Sequence, residues 1–434
     1  MDYRQSIAYL FSLQRFGIKL GLSNITTLLK HLGNPHQSLR CIHIAGTNGK
    51  GSTAAFLQSI LKHSGYRAGL FTSPHLVSFT ERIRINDREI QRGRVARLVQ
   101  KIRALCRQNS LETITFFEFV TALAFAYFAE EKADPVVVEV GMGGRLDATN
   151  ILQPMVSIIT SISLEHQIYL GTTLQRIAKE KAGIIKRCTP LIAGVRQPSV
   201  IAVMREKCRQ MNAPLFLAGK DVSGRKTGSG MFDYKGFDRT LTGLLPGLIG
   251  DHQIRNATLA LGAAELLCRN GFNITEQGMR TGIQEARWPG RMEIVRRAPA
   301  VVLDGAHNPE AWQAIKKTLN KYFTYKKLFM VIGVMQDKDI ARMIEILTPG
   351  AHTVIFCKPK MERAAPQETI AQHSSRSAAK NTVWIDDTVE ALHAALRRAS
   401  SDDLVCVTGS LFTVGEAREY LVPATGIATG RIPL

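Results

Sequence analysis

His43-Ile44-Ala45-Gly46-Thr47-Asn48-Gly49-Lys50-Gly51-Ser52 decides how this chain is read. The apolar run over residues 41–45 predicts a strand, residues 46–52 a glycine-rich loop, and residues 53–63 a helix. In a strand–loop–helix unit of this kind, glycines let backbone N–H groups turn towards phosphate oxygens. The helix N-terminus adds positive potential there. Lys50 would neutralise phosphate charge, and Ser52 or the loop backbone would help hold a metal. The spacing departs from the usual G-x-x-x-x-G-K-[ST] loop, because Gly46 stands three residues before Gly49 and Gly51 separates Lys50 from Ser52. The bland alternative is a glycine turn without a ligand, but a lysine between two glycines serves packing poorly.

Working outward, further apolar runs alternate with helical patterns, which implies a parallel α/β sheet. Strands are expected at 135–140 (Val136, Val137 and Val138 in succession), 156–161 and 191–195. A second series falls at 300–303, 328–333, 353–357 and 404–408. Between the two lies Arg287-Trp288-Pro289-Gly290-Arg291, where Pro-Gly interrupts helix and strand alike. We therefore expect domains over 1–292 and 293–434. Residues 219–238, rich in Gly, Lys and Asp, predict a surface hairpin or loop, and 422–434 show no strong periodicity.

The chain has 434 residues, 45% of them hydrophobic and 21% charged, as in a folded globular protein of two or three domains. The net charge of +20 favours anionic partners. The densest basic stretch is Arg82, Arg84, Arg88, Arg92, Arg94, Arg97, Lys101, Arg103 and Arg107. With Leu98, Ile102 and Leu105 interleaved, it reads as one solvated helix face over a buried stripe. Only 7% of residues are aromatic and no zinc-finger or RNA-binding signature occurs, which argues against nucleic acid. Seven dispersed cysteines without a C-x-x-C pair suit reduced thiols in the cytoplasm. Met1-Asp2-Tyr3-Arg4-Gln5 lacks a signal-peptide layout, and no apolar run reaches the roughly 18–20 residues that span a bilayer.

Three more blocks end at strand termini. Glu139-Val140-Gly141-Met142-Gly143-Gly144-Arg145-Leu146-Asp147 begins with a carboxylate at the carboxyl end of a strand, where ligands bind in open α/β sheets. Glu139 is either a metal ligand or an arginine partner, and ligation suits phosphate-bound Mg²⁺, which takes one or two carboxylates. Ser163-Leu164-Glu165-His166 and Lys179-Glu180-Lys181-Ala182-Gly183 follow the 156–161 strand and would reach the same edge. In the second series, Asp304-Gly305-Ala306-His307-Asn308-Pro309 offers Asp304 for ribose hydroxyls and His307 for an incoming amino acid. Its alternative is an Asx turn. Thr72-Ser73-Pro74-His75-Leu76 alone is a turn.

In this order the blocks resemble the folylpolyglutamate synthase and dihydrofolate synthase family of the Mur ligase superfamily. The resemblance runs from Leu28–Pro35 through Gly-Lys-Gly-Ser, Thr72–Leu76, Phe117-Glu118-Phe119, the Glu139 block, Glu180–Ile184, His252–Ala257, Trp288–Arg291 and Asp304–Pro309 to Thr408–Leu411. It implies an N-terminal P-loop-type ATPase domain with a mostly parallel sheet and a smaller C-terminal Rossmann-like α/β domain. It also implies ATP bound by Asn48, Gly49, Lys50, Gly51, Ser52, Asn256, Arg291 and Asp304. Two Mg²⁺ ions would be held with Ser73, Glu139, His166 and a carbamylated Lys181. The pterin would lie near Thr115, Phe116 and Arg145, and glutamate near Asp304, His307 and Ser410. Lys50, Lys181 and His307 are the implied catalytic residues. The family also suggests a monomer acting on small molecules: ATP, L-glutamate and dihydropteroate or a reduced folate. This sequence departs from the family in Glu165 where Asp is usual, Met142 where Leu is common, and Ser23-Asn24 where Glu-Arg is frequent.

The implied chemistry is attack of a carboxylate on the γ-phosphate, then attack of glutamate's amine on the acyl phosphate, with domain closure excluding water. Another Mur-type ligase and a P-loop kinase or ATPase are the alternatives. The first fits the Gly-Lys-Gly-Ser loop poorly, and the second leaves the Asp304 block unexplained.

Overall fold

The strand leading into the glycine loop lies at the centre of a sheet. The computed structural model describes residues 1–434 except 18, 112, 229, 375–380 and 423–434, so most of the aperiodic tail lies outside the described residues. The described chain divides into two units. The first comprises Met1–Gly247 with Gln253–Arg287, and the second comprises Leu248–His252 with Trp288–Leu434.

In the first unit, β1 (Cys41–Ala45), β2 (Gly69–Phe71), β3 (Ile83–Ile85), β4 (Arg88–Glu89), β5 (Val136–Glu139), β6 (Val156–Ile159), β7 (Leu191–Ala193) and β8 (Leu215–Leu217) form one sheet. Its order is β4-β3-β2-β5-β1-β6-β7-β8. All neighbours pair in parallel except at β3 and β4, which turn back antiparallel. β1, β5 and β6 are buried at every residue. That is why their sequences are unbroken apolar runs instead of alternations. Three further strands, β9 (Ser223–Gly228), β10 (Met231–Lys235) and β11 (Thr240–Leu244), form a small antiparallel sheet. The predicted hairpin is its first two strands.

The helix after β1 runs Lys50–His63, starting three residues earlier than the sequence predicts. Gly49 takes a left-handed φ of 87° as the residue just outside it, so the last glycines do not delay the helix.

The basic stretch corrects one expectation. Helix Arg92–Gln108 does bury Val95, Leu98, Val99 and Ile102, and its Arg94, Arg97 and Lys101 pair with Glu130 and Glu131. Arg82, Arg84 and Arg88 do not belong to that face: Arg84 lies in β3 and Arg88 in β4. Arg82 precedes β3 and is only 6% exposed. The arginine spacing continues across a strand pair, so two elements read as one.

The second unit holds β12 (Glu293–Arg297), β13 (Ala300–Asp304), β14 (Leu328–Ile332), β15 (Thr353–Phe356), β16 (Asn381–Trp384) and β17 (Leu404–Thr408). Their order is β12-β13-β17-β14-β15-β16, and only β12 is antiparallel. The late strand β17 inserts between β13 and β14, so the loops after these three strands emerge side by side. No described helix is long and apolar enough to cross a membrane. Five cysteines are buried, Cys268 is half-buried and Cys188 is exposed, and none is disulfide-bonded.

Trp312 anchors the second unit's core. It is 0% exposed, and its indole N–H donates to the Ala306 carbonyl at 3.1 Å. Trp312→Ala should cost about 3–5 kcal/mol of unfolding free energy in denaturant titration. A loss below about 1 kcal/mol would show that the site collapses around the gap.

Candidate active site

Four loops leave the carboxyl edge of the first sheet next to one another, because β2, β5, β1 and β6 are neighbours there. They carry Ser73, Glu139, the 46–52 loop and the 160–166 segment.

The glycine loop is clamped by the loop after β6. Ser161 Oγ accepts from Asn48 N–H at 3.0 Å and donates to the Asn48 carbonyl at 3.0 Å. Thr160 Oγ1 donates to the same carbonyl at 2.7 Å. Thr47 Oγ1 and the Ser163 backbone exchange a second pair of hydrogen bonds at 3.2 and 3.1 Å. The loop is therefore set before any phosphate arrives. Two glycines are required by contact. A Cβ on Gly46 would lie 1.9 Å from Thr160 Oγ1, and one on Gly49 would lie 2.4 Å from Asn256 Oδ1. Asn256 thus sits against the loop, and its amide donates to Gln253 Oε1 at 2.9 Å. Gln253 in turn reaches Ser52 Oγ at 3.4 Å. The structure brings Asn48–Ser52 and Asn256 together.

Lys50 and Lys181 converge on one oxygen. Lys50 Nζ donates to the carbonyls of Gly46 and Thr47 at 3.1 and 3.2 Å, and Lys181 Nζ donates to the Gly46 carbonyl at 2.7 Å. Lys181 is 3% exposed. Burial, and then the nearby Lys50 charge, push its pKa down to about 7, against the pull of Glu165 and Asp147. A buried lysine of this kind is neutral about half the time at neutral pH.

Glu139 ends β5 and is 5% exposed, and its Oε2 accepts from the Ser73 N–H at 3.2 Å. His166 stands in the segment after β6, with Nε2 3.9 Å from Glu165 Oε1. Among the described residues, no three or more His, Cys, Asp or Glu side chains gather as a metal cage. One buried carboxylate beside a serine still suits Mg²⁺, which keeps several waters and takes one or two carboxylates.

The residues assigned to the pterin have these surroundings. The Thr115 hydroxyl caps helix Phe116–Glu130, exchanging hydrogen bonds with Glu118 at 2.8 and 3.3 Å. Phe116 stacks on Phe11 with centroids 5.8 Å apart, and the Arg82 guanidinium lies 5.2 Å from its ring. Arg145 pairs with Glu180 at 2.9 Å on the surface.

Sequence reasoning missed the pairing behind Phe116. Arg82 Nε donates to His75 Nδ1 at 2.7 Å, and burial, then the Arg82 charge, push His75 down to about 3, so it is neutral. His75 is visible in the Ser73-Pro74-His75 block, but the arginine spacing assigns its partner to a helix.

In the second unit, Asp304 ends β13 opposite Thr408 of β17. Its carboxylate accepts from the N–H groups of Met292 and Ala306, both at 2.9 Å. Burial raises its pKa, while Arg291 works against that. His307 Nδ1 donates to the Gly305 carbonyl at 2.9 Å, since a carbonyl only accepts. Ser410 caps helix Leu411–Leu421, its hydroxyl accepting from Thr413 N–H at 3.1 Å. Arg291 Nη1 donates to the Gly290 carbonyl at 3.3 Å. Asp304, His307 and Ser410 thus occupy adjoining loops of one sheet edge.

The Mur ligase middle domain matches residues 44–264, and the Mur ligase glutamate ligase domain matches residues 290–411. The dihydrofolate synthase/folylpolyglutamate synthase of Bacillus subtilis is 35% identical over 428 residues, covering 96% of this chain and 99% of the relative. The chain belongs to the dihydrofolate synthase/folylpolyglutamate synthase family of Mur ligases. Folylpolyglutamate synthase of Lacticaseibacillus casei is 36% identical over 97% of this chain and 99% of its own length. Among solved family members, Mycobacterium tuberculosis folylpolyglutamate synthase complexed with ADP has a TM-score of 0.90 at 32% identity, covering 97% of this chain and 99% of that one. Escherichia coli FolC in complex with DHPP and ADP has a TM-score of 0.87 at 30% identity, covering 97% and 98%.

Gly49→Ala tests the loop geometry. The substitution combines a strained φ with the Asn256 contact, about 1–3 kcal/mol of strain. Calorimetric affinity for ADP should fall about tenfold or more, and the strain should lower the unfolding temperature by only a few degrees. Unchanged affinity would show that the nucleotide does not use this loop.

Proposed function

We propose that this ligase uses ATP to join L-glutamate to both dihydropteroate and reduced folates. The convergence of the phosphate loop, Glu139 and Lys181 on one sheet edge carries this reading, together with full-length likeness to relatives named for both activities. The acceptor's carboxylate, the benzoate of dihydropteroate or a side-chain carboxylate of a reduced folate's terminal glutamate, attacks the γ-phosphate of ATP, giving an acyl phosphate and ADP. The glutamate amine attacks the acyl carbon, the amide forms and phosphate leaves. The Asn48–Ser52 backbone and Lys50 bind the phosphates, Lys50 exchanging its two loop carbonyls for phosphate oxygens. Lys50's charge stabilises the transferred group. Asn256, Arg291 and Asp304 are assigned to the nucleotide, and His307 and Ser410 to glutamate. Thr115, Phe116 and Arg145 are assigned to the pteroyl part.

Ser73, Glu139 and His166 would hold Mg²⁺, with a carbamate on Lys181 serving the metal site. Bound there, the ion offsets negative charge on the phosphates. Lys181 is suited to that modification, since only a neutral amine adds CO₂, giving a carbamate and one proton. A protonated Lys181 would repel the ion instead.

ADP release should depend on glutamate and on either dihydropteroate or tetrahydrofolate, with each product heavier by one glutamyl unit. Gain on only one acceptor would reduce the activity to that one, and no glutamate-dependent turnover would sink the reading.

Lys181 has its own test. With ¹³C-bicarbonate, the protein should show one carbamate carbon resonance that Lys181→Arg lacks. The depressed pKa sets its pH dependence. At fixed dissolved CO₂ the signal should grow as pH rises through about 7, whereas an exposed lysine needs pH near roughly 10. A spectrum without the resonance would leave the amine unmodified.

A further inference from the structure

β1 carries a histidine three residues before the phosphate loop that the mechanism above does not use. His43 is 0% exposed, at the centre of the sheet between Val138 of β5 and Ser157 of β6. A strand interior of Val and Ile needs no imidazole for packing. Its Nδ1 is buried without a hydrogen-bond partner, while Nε2 lies 2.8 Å from Thr149 Oγ1. An unpartnered buried nitrogen costs free energy, so the contact made by the other nitrogen has to matter.

The donor and acceptor inventory fixes the direction of this contact. Thr149 has one hydroxyl proton, and its oxygen lies 2.6 Å from Asp147 Oδ1. Burial raises the Asp147 pKa, while the hydrogen bonds it accepts from Thr149, Met142 and Gly141 favour its ionised form; an ionised carboxylate only accepts, so that proton goes to Asp147. His43 Nε2 must then be the donor to Thr149, and the ring is the Nε2–H tautomer with a bare Nδ1. Burial, and then the charge of Lys186, hold the imidazole neutral. The chain of donors runs from His43 through Thr149 to Asp147.

Asp147 passes the constraint to the loop that follows Glu139. Its Oδ1 also accepts from Thr149 N–H at 3.0 Å, and its Oδ2 accepts from Met142 N–H at 2.8 Å. This closes residues 141–147 into a fixed loop. The loop lies backbone to backbone on the segment that holds Lys181. Arg145 N–H donates to the Glu180 carbonyl at 2.8 Å, a Cβ on Gly144 would be 2.9 Å from the Lys181 carbonyl, and Asn150 Nδ2 donates to the carbonyls of Arg145 and Gly183 at 2.9 and 3.1 Å.

We propose that His43 is a positioning residue for the ligase reaction, which through Thr149 and Asp147 sets the loop aligning Glu139 with Lys181. The proposal rests on the ligase reading above. The phosphate loop is held separately, by Thr160 and Ser161. Loss of His43 should therefore disturb phosphoryl transfer and leave ATP binding in place.

The test uses the whole enzyme and four variants. His43→Gln can present an amide N–H where Nε2 stands, and His43→Leu cannot. Thr149→Ser keeps the relay hydroxyl, and Thr149→Val removes it. His43→Leu and Thr149→Val are expected to lower kcat by about 10- to 100-fold, the usual effect of losing an outer-shell partner, with KM for ATP unchanged. His43→Gln and Thr149→Ser should recover most of the loss. In the ¹⁵N spectrum of histidine-labelled wild type, His43 should show a protonated Nε2 and an unprotonated Nδ1. Equal losses in the His43→Gln and His43→Leu variants, a loss that tracks the unfolding midpoint, or an Nδ1–H tautomer would each overturn the assignment. If wild type shows no glutamate-dependent turnover, the ligase reading fails first, and the tautomer still decides the hydrogen-bond chain.

Discussion

Two lysines share one carbonyl oxygen, that of Gly46. Around that contact the rest of the first unit's edge is organised. Burial of Lys181, and then the charge of Lys50 close by, push the Lys181 pKa down to about 7. Lys50 stands at the start of helix Lys50–His63 and is partly exposed. The same oxygen thus joins two lysines in different settings, one partly exposed at a helix start and one buried. Gly46 permits this because no side chain could stand where Thr160 closes on it.

Most strands are legible because they are buried on both faces, so their apolar runs are continuous and their ends are marked by glycine, proline or acid. The order of the strands is not legible. Nothing in the sequence of β5 says that it inserts between β1 and β2, yet this insertion brings Glu139 beside Ser73. The glycine loop is readable from spacing alone, whereas its clamp by Thr160 and Ser161 depends on a neighbouring strand 112–113 residues later. Charge spacing carries no record of where a strand ends, so it assigns Arg82 to the wrong element. The buried pairing of Arg82 with His75 is a tertiary fact.

The capping residues show the same limit at smaller scale. Thr115 and Ser410 enter the candidate site only through the family resemblance, and both commit their hydroxyls to helix N-termini. A cap and a substrate contact use the same residue types in the same places, because helix N-termini facing a sheet edge are where anions bind. The sequence cannot separate the two uses.

The division of the chain is not a single cut. Residues Leu248–His252 belong with Trp288–Leu434, although Gln253–Arg287 return to the first unit, and the helix Asp251–Arg269 runs through the change. Asp251 accepts a hydrogen bond from Tyr322 and pairs with Lys321. A fragment beginning at Trp288 would leave those two side chains without their carboxylate. Exchange of domains between relatives, whether in the laboratory or by recombination, must therefore carry a five-residue segment from far upstream. A simple swap at the Pro-Gly junction would mismatch it.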